Sequence, residues 1–537
     1  MMNKTLIALS FSALALGSTS VFANSTPAEL LQDRYSTLAN LEMHGGQPSP
    51  ESQKALFTES YFQRATTLYE WALPIVNMKA MQEGHARLMD GTTAYNKIAI
   101  YQDRLKPNTK ITTPNSDVIY AMGWLDMKDT GPLVIEHPAG LQSLMDDMYQ
   151  QPLRGPLDKD KDQVHGQYLG DIGKAGPDKG KAAKFLILPP GYTRDQFKDV
   201  SDEYFIYESN TSEVFLFLRS FFMDMNKLQP AVDRIKEIKI YPLKGHGKEM
   251  KFFEVSDVPA NALWKNDHTY YEMLDRAVQN MELATFDPYM NGVMNAVGIK
   301  KGSKFAPTPE QKKLLDEAAQ TGWKITKNIA LNFDELSNSK IGDTWFWKDR
   351  PTWVAHALTE NGNQNFAVSD AYYRNVKTGY TNVDALAHMY TNHYSMSTGM
   401  INAQVGKGAK YAGAYKDSDH NPLVGNCNYS LNIPANVPVD LFWSVTAYDG
   451  ATASGVDVEN HEWPSLGDRD HPIANKDGSV TLFFGPTSPK DASLAAKNWL
   501  QFKNPSWFSL IRFYGPTEPL FDKTWRPGEF EKINCVD

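Results

Sequence analysis

Two blocks of short apolar runs, each closed by Gly, Pro or Asp, bracket a stretch whose apolar residues recur at helical spacing. This alternation constrains the fold more than any single motif does. A run of about four to eight residues crosses a sheet but is too short for an ordinary helix. In the first block, from Lys110 to about Pro242, the runs include Val118 to Leu125, Leu133 to Glu136, Lys184 to Leu188 and Glu213 to Leu218. After Gly408 come YSLNIPA, VDLFWSVTAYDG, SVTLFFGP and FSLIRFYGP, punctuated by the turn pairs Asp449-Gly450 and Asp477-Gly478. Between the blocks, Asp267 to Met400 reads as helical. There Thr308-Pro309-Glu310-Gln311 forms a capping-box pattern ahead of Leu314, Leu315, Ala318, Ile325 and Ile329. An earlier amphipathic helix runs from Ser60 to Gln82, with a kink expected at Pro74. The expected fold is an α+β multidomain chain. Two β-rich domains of sandwich or jelly-roll type, 24–265 with its opening helices and 408–537, flank a mostly helical middle region at 266–407.

The first residues read as a secretory signal peptide. Lys4 precedes an apolar run from Leu6 to Leu16, and the small-residue segment Val21-Phe22-Ala23 sets cleavage after Ala23. The run is too short to span a bilayer, and no later run of roughly 18 apolar residues follows. A soluble, periplasmic mature chain without a transmembrane segment is expected. Removing residues 1–23 leaves 514 of the 537 residues and takes the formal net charge from −9 to −10, because Lys4 is lost. An acidic, mixed surface argues against nucleic acid as a partner.

Cys427 and Cys535 are the only cysteines. In an oxidising compartment they form one disulfide or stay as two structural thiols, and spacing alone leaves both open. No G-x-S-x-G, H-E-x-x-H or C-x-x-C motif is present, and the Gly- and Lys-rich stretch Gly173 to Lys181 lacks a phosphate-loop frame. Asp158, Asp160 and Asp162 imitate half a calcium loop, but Gln163 and Leu169 stand where the turn glycine and the bidentate Glu belong, so a solvated charge run is the better reading. No cofactor is expected.

At VDLFWSVTAYD, NKDGSV, NWLQF and IRFYGPTEPLFDKTWRPGE the chain resembles the bacterial exported family that pairs domain of unknown function 1254 toward the N-terminus with 1214 toward the C-terminus. The segment TTPNSDVIYAMGWLD, with Thr113, Pro114, Asn115, Asp117 and Tyr120, is similar to the N-terminal hallmark. The resemblance implies closely associated β-sandwich and helical parts and a homo-oligomer in some relatives. It implies no reaction. One departure is Asp384-Ala385-Leu386, where the family pattern carries Asp-Ala-Arg.

Candidate chemistry centres on Asn115, Asp117, Tyr120 and Arg219. Arg219 interrupts the apolar run VFLFLRSFF and needs a partner if buried, with Asp117 as the candidate. In a cleft, Arg219 would hold a carboxylate or developing anion while Asp117 or Tyr120 exchanges a proton. The plainer alternative is an Asx turn at Asn115 and Asp117 with a structural Arg219. In the C-terminal block, strand parity puts Ser444, Thr446 and Tyr448 on one face and Trp443, Val445 and Ala447 on the other, while Arg512 shares a face with Leu510 and Tyr514. Tyr448, Arg512 and Tyr514 suit a sugar or another small polar ligand, or else an aromatic core with a structural arginine.

In GVDVENHEW, alternation as a strand would project Asp457, Glu459 and His461 together. These are acceptable ligand types for zinc or manganese, but a solvated edge explains the pattern as well, and no metal site is assigned. His388 and His393, five apart, would not share a helix face. The functional expectation is an exported protein binding a small polar or carbohydrate-like ligand or an envelope component. The alternatives are a metal-independent enzyme using acid-base chemistry at Asp117, Tyr120 and Arg219, and a structural envelope oligomer.

Overall fold

Which residues face which side of a sheet follows from a period of two, and the computed structural model bears this out strand by strand. It describes residues 26–157, 167–283, 288–332, 343–347, 349–359, 383–401 and 405–536. The expected signal peptide and the Asp158, Asp160, Asp162 run lie outside the described residues.

The chain divides into a unit ending at Gln63 and a second unit, Arg64–Asp537. In the first, the helix Pro27–Ala39 starts at a Thr26 and Glu29 capping box, and Arg34 pairs with Glu59 at 2.7 Å. The expected helix at 60–82 is the end of Pro50–Trp71 and most of Leu73–Leu88, with the break just ahead of Pro74. Pro74 sits in the first turn, where the missing N–H costs nothing.

Two β-sandwiches and a helical group make up the second unit, an α+β architecture. The first sandwich has a six-stranded sheet in the spatial order 171–172, 142–147, 213–220, 119–126, 97–100, 251–254. Its other sheet runs 239–242, 133–137, 183–188, 205–208, 154–157, 167–169. Ile119, Ala121 and Leu216 from one sheet meet Ile135, Phe185 and Ile187 from the other in a shared core. Each such large side chain contributes about 1.5–3 kcal/mol by leaving water.

The second sandwich packs a six-stranded sheet, ordered 343–347, 350–359, 409–414, 507–516, 439–449, 465–467, on a four-stranded sheet, ordered 499–500, 480–484, 427–433, 530–535. Trp443, Val445 and Ala447 enter its core with Leu431, Leu482 and Phe484, as parity requires. Cys427 and Cys535 are direct cross-strand partners and form a disulfide.

The middle region holds helices Thr269–Asn280, Pro288–Val297, Pro309–Asn332 and Val383–Asn392. Thr308 and Gln311 complete the expected capping box, with Gln311 N donating to Thr308 Oγ1 at 3.2 Å and Thr308 N donating to Gln311 Oε1 at 2.9 Å. The region is not only helical. A hairpin of strands Asp343–Trp347 and Arg350–Thr359 leaves it and joins the C-terminal sheet, with Val354 opposite Gly413. Trp347 and Trp353 bury in the C-terminal core, so long-range packing, not local periodicity, decides this segment. Among the described residues, no helix is long and apolar enough to cross a membrane.

Candidate functional site

The Tyr120-bearing sheet of the first sandwich and the Arg512-bearing sheet of the second each have a face turned away from the sandwich core. On the first, antiparallel register sets Tyr120 opposite Arg219 and Met122 opposite Phe217, placing these residues on one face. On the second, Arg512 lies between Tyr411 and Ser444, and Tyr514 lies opposite Phe442. The two faces meet, with Phe221 edge-on to Tyr514 at 6.0 Å between ring centroids. The segment following helix Val383–Asn392 runs against both. Tyr394 contacts Phe217 at 5.7 Å between centroids, and Lys410 Nζ donates to the carbonyls of Gly399 and Met400 at 3.1 and 3.0 Å.

A cavity of about 50 Å³ lies between these elements. At more than about 15 Å³ per water, it accommodates a few water-sized groups, such as a carboxylate and a neighbouring hydroxyl. Asn115, Tyr120, Arg219 and Arg512 line it, together with Thr113, Tyr394, Ser395 and Tyr411. Four of the residues singled out from sequence, drawn from both β-rich blocks, therefore share one enclosure.

Its electrostatics are dominated by two guanidinium groups. Arg512 is 2% exposed. Its Nη1 donates to Thr446 Oγ1 at 2.7 Å and its Nη2 to the Tyr448 hydroxyl. Arg219, half-buried, lies over the Phe217 ring at 5.8 Å. The Nε–H groups of both arginines have no hydrogen-bond partner among the described residues. Burial holds the Tyr120 hydroxyl well above its ordinary pKa, so it stays protonated and able to donate. An anion entering this space meets donors from two arginines, a tyrosine and an amide.

The other expected site residues stand behind the lining. Asp117 is 2% exposed and does not pair with Arg219. It accepts from Ser444 Oγ and, at 3.4 Å, from the Tyr514 hydroxyl, and Arg104 Nη2 lies 4.0 Å from it. Its backbone carbonyl accepts from Arg469 Nη2 at 2.6 Å. The pairing with Arg219 expected from sequence is thus replaced by one with Arg104, because the Asx turn directs Asp117 toward the C-terminal sheet. That turn is present, with Asp117 N donating to Asn115 Oδ1 at 2.7 Å. The Asn115 amide in turn donates to the Tyr514 hydroxyl. Tyr448 donates to the Pro114 carbonyl at 2.7 Å. Tyr448 and Tyr514 therefore tie the Thr113 to Asp117 loop to the sheet that carries Arg512.

Sequence reasoning named Thr113 only as part of the hallmark segment and missed Tyr394, Ser395 and Tyr411. Thr113 and Ser395 hold left-handed backbone, with φ of 37° and 60°. For a β-branched threonine this is strained, and the surrounding contacts must hold it. Ser395 does show such contacts, donating through Oγ to Asp146 Oδ2 and through N to Gln150 Oε1. No local signal marks either conformation.

The segment Asp457 to His461 is irregular instead of a strand. Asp457 pairs with Lys110 at 2.9 Å and Glu459 with Lys503 at 3.4 Å, so the three side chains are not gathered on one face. The rings of His388 and His393 approach to 6.4 Å despite their spacing, because the helix ends at Asn392 and the chain turns.

Comparison with known proteins follows the same division. Residues 95–242 match the family model described as protein of unknown function (DUF1254), and residues 408–518 match protein of unknown function (DUF1214). No curated protein matches the chain. Among solved structures, the VPA0106 protein from Vibrio parahaemolyticus is similar at 16% identity and a TM-score of 0.48, over 88% of this chain and 100% of that one. An uncharacterized protein from Burkholderia cenocepacia is similar at 12% identity and a TM-score of 0.35, over 94% and 95% of the two chains. The chain pairs a DUF1254 domain, which builds most of the first sandwich, with a DUF1214 domain, which builds most of the second.

Proposed function

We propose that this chain is an exported binding protein that holds a small polar ligand by an anionic group, a carboxylate or the acid of a sugar acid, in the cavity between the two sandwiches. One observation supports the reading: Arg219 and Arg512, from different domains, both line one small enclosure and both keep a buried Nε–H with no hydrogen-bond partner among the described residues. Burying two cations beside each other is costly unless an anion or water completes their hydrogen bonds. Aromatic walls at Tyr120, Tyr394 and Tyr411 suit a compact ligand with one flat or apolar side.

Acid-base catalysis is the weaker reading. Asp117, its proposed base, lies behind Tyr514 and off the cavity wall. Export rests on the leader ending at Ala23 and is checked by N-terminal sequencing of protein from a periplasmic fraction.

The test is isothermal titration of the purified mature chain with short carboxylates, sugar acids and the matching neutral sugars. Saturable binding of acids, lost in Arg219→Met and in Arg512→Met variants that retain native circular dichroism, is the expected result. Failure of every acid to bind, or unchanged affinity in both variants, overturns the proposal.

A further inference from the structure

A second, separate cavity, of about 60 Å³, opens beside the helix Pro309–Asn332. Tyr69, Trp264 and Trp323 form its walls, Lys327 and Thr391 are buried at its floor, and exposed Thr452 stands at its mouth. The wall is held by its own hydrogen bonds, with Trp264 Nε1 donating to the Tyr69 hydroxyl at 3.2 Å and that hydroxyl donating to Asn266 Oδ1 at 2.7 Å. Gly322 makes the helix approach possible, since a Cβ there would fall 2.6 Å from the Tyr69 ring.

Lys327 is the unusual group. It is 8% exposed, yet its Nζ donates to a neutral acceptor, Asn392 Oδ1, at 2.7 Å. Among the described residues no carboxylate lies within ion-pair distance of it. Lysines are almost never buried without a partner acid, because the ammonium loses its hydration. Beside it, Thr391 is 4% exposed and its Oγ1 has no hydrogen-bond partner among the described residues.

We propose that Lys327 is a carbonyl-reactive amine that captures a short-chain aldehyde as an imine, with the Thr391 hydroxyl donating to the carbonyl oxygen. The Nζ lone pair attacks the carbonyl carbon, forming a C–N bond as the C=O π bond breaks. An ammonium proton moves to the oxygen, giving a carbinolamine, and loss of water leaves the imine. No oxidant or reductant is required. Burial supports this chemistry by pulling the Lys327 pKa down to about 7, against a smaller opposing effect of the Asp449 charge, so a large share of the amine is neutral near pH 7. The cavity is well under the ~150 Å³ that holds a benzene ring, which selects a short aliphatic aldehyde over an aromatic one.

The experiment is reductive trapping on the intact mature protein, with propanal and sodium cyanoborohydride, followed by digestion and mass spectrometry. Initial labelling of Lys327 is compared with that of Lys476 and Lys490, both exposed. The expected result is labelling of Lys327 at least ~10-fold faster at pH 7, in keeping with an amine whose desolvation leaves it unprotonated. Its rate rises between pH 6 and 8, while the exposed lysines are still rising above pH 9. In Thr391→Val protein with native circular dichroism, labelling slows at Lys327 alone. A Lys327 rate no greater than that of the exposed lysines in the unaltered protein overturns the proposal.

Discussion

Tyr448 and Arg512 stand on adjacent antiparallel strands, and the tyrosine hydroxyl accepts from Arg512 Nη2 while donating to the Pro114 carbonyl at 2.7 Å. One phenol thus orients the buried guanidinium and anchors the loop that presents Asn115. Replacing it with phenylalanine leaves both partners short of a bond. Tyr448→Phe is expected to lower stability by about 1–3 kcal/mol, the cost of unsatisfied buried groups, and to weaken acid binding. Urea unfolding and titration of the variant check both effects together.

Asp117 serves the joint between domains more than the cavity. Its carboxylate faces Ser444, Tyr514 and Arg104. Asp117→Ala should destabilise the chain by roughly 1–3 kcal/mol, since it leaves the buried Ser444 hydroxyl without its acceptor while Arg104 keeps Asp470 at 3.6 Å. Asp117→Asn, which keeps an acceptor, should lose less stability and retain ligand affinity. An Asn variant of native stability that no longer binds acids would instead make Asp117 part of the site.

Asp171 supplies a pH dependence. Burial raises its pKa to about 6, although hydrogen bonds from Ser397 and Gly399 and the charges of Arg219 and Lys410 oppose the shift. The unfolded value is about 3.9, so the folded state binds the extra proton between the two values. Stability from this group is complete below about pH 4 and is lost as pH rises through about 6. Asp171→Asn should therefore flatten the fall in unfolding midpoint between about pH 4 and 6. An unchanged slope would place the pH dependence on other buried acids such as Asp147, also raised to about 6 by burial.

Reduction of the Cys427 to Cys535 disulfide releases the C-terminal strand Phe530–Cys535 from its covalent tie. Cys427→Ser should lower stability by about 2–5 kcal/mol. Unfolding midpoints with and without reductant should differ in the unaltered chain and coincide in the variant.

Much of the local architecture can be read directly from the sequence. The strand at Glu213–Ser220, the facing of Ser444, Thr446 and Tyr448, the Thr308 capping box and the Asx turn at Asn115 are all set by residues a few positions apart. The hairpin at 343–359 escaped that reading because its tryptophans are stabilised by a core far away in sequence. At Asp457 to His461 the alternation has no partner strand to make a sheet face of it, and Asp457 and Glu459 pair with separate lysines.

Periodicity therefore determined which residues share a face, and composition determined that Arg219 and Arg512 would be costly to bury. Which face meets which was settled only in three dimensions. Asn115 and Tyr514 are 399 positions apart and hydrogen-bonded, a contact that depends on two sandwiches and an intervening segment packing at once. Short-range preferences carry no information about such closure, because its free energy comes from surfaces that exist only after each sheet has formed.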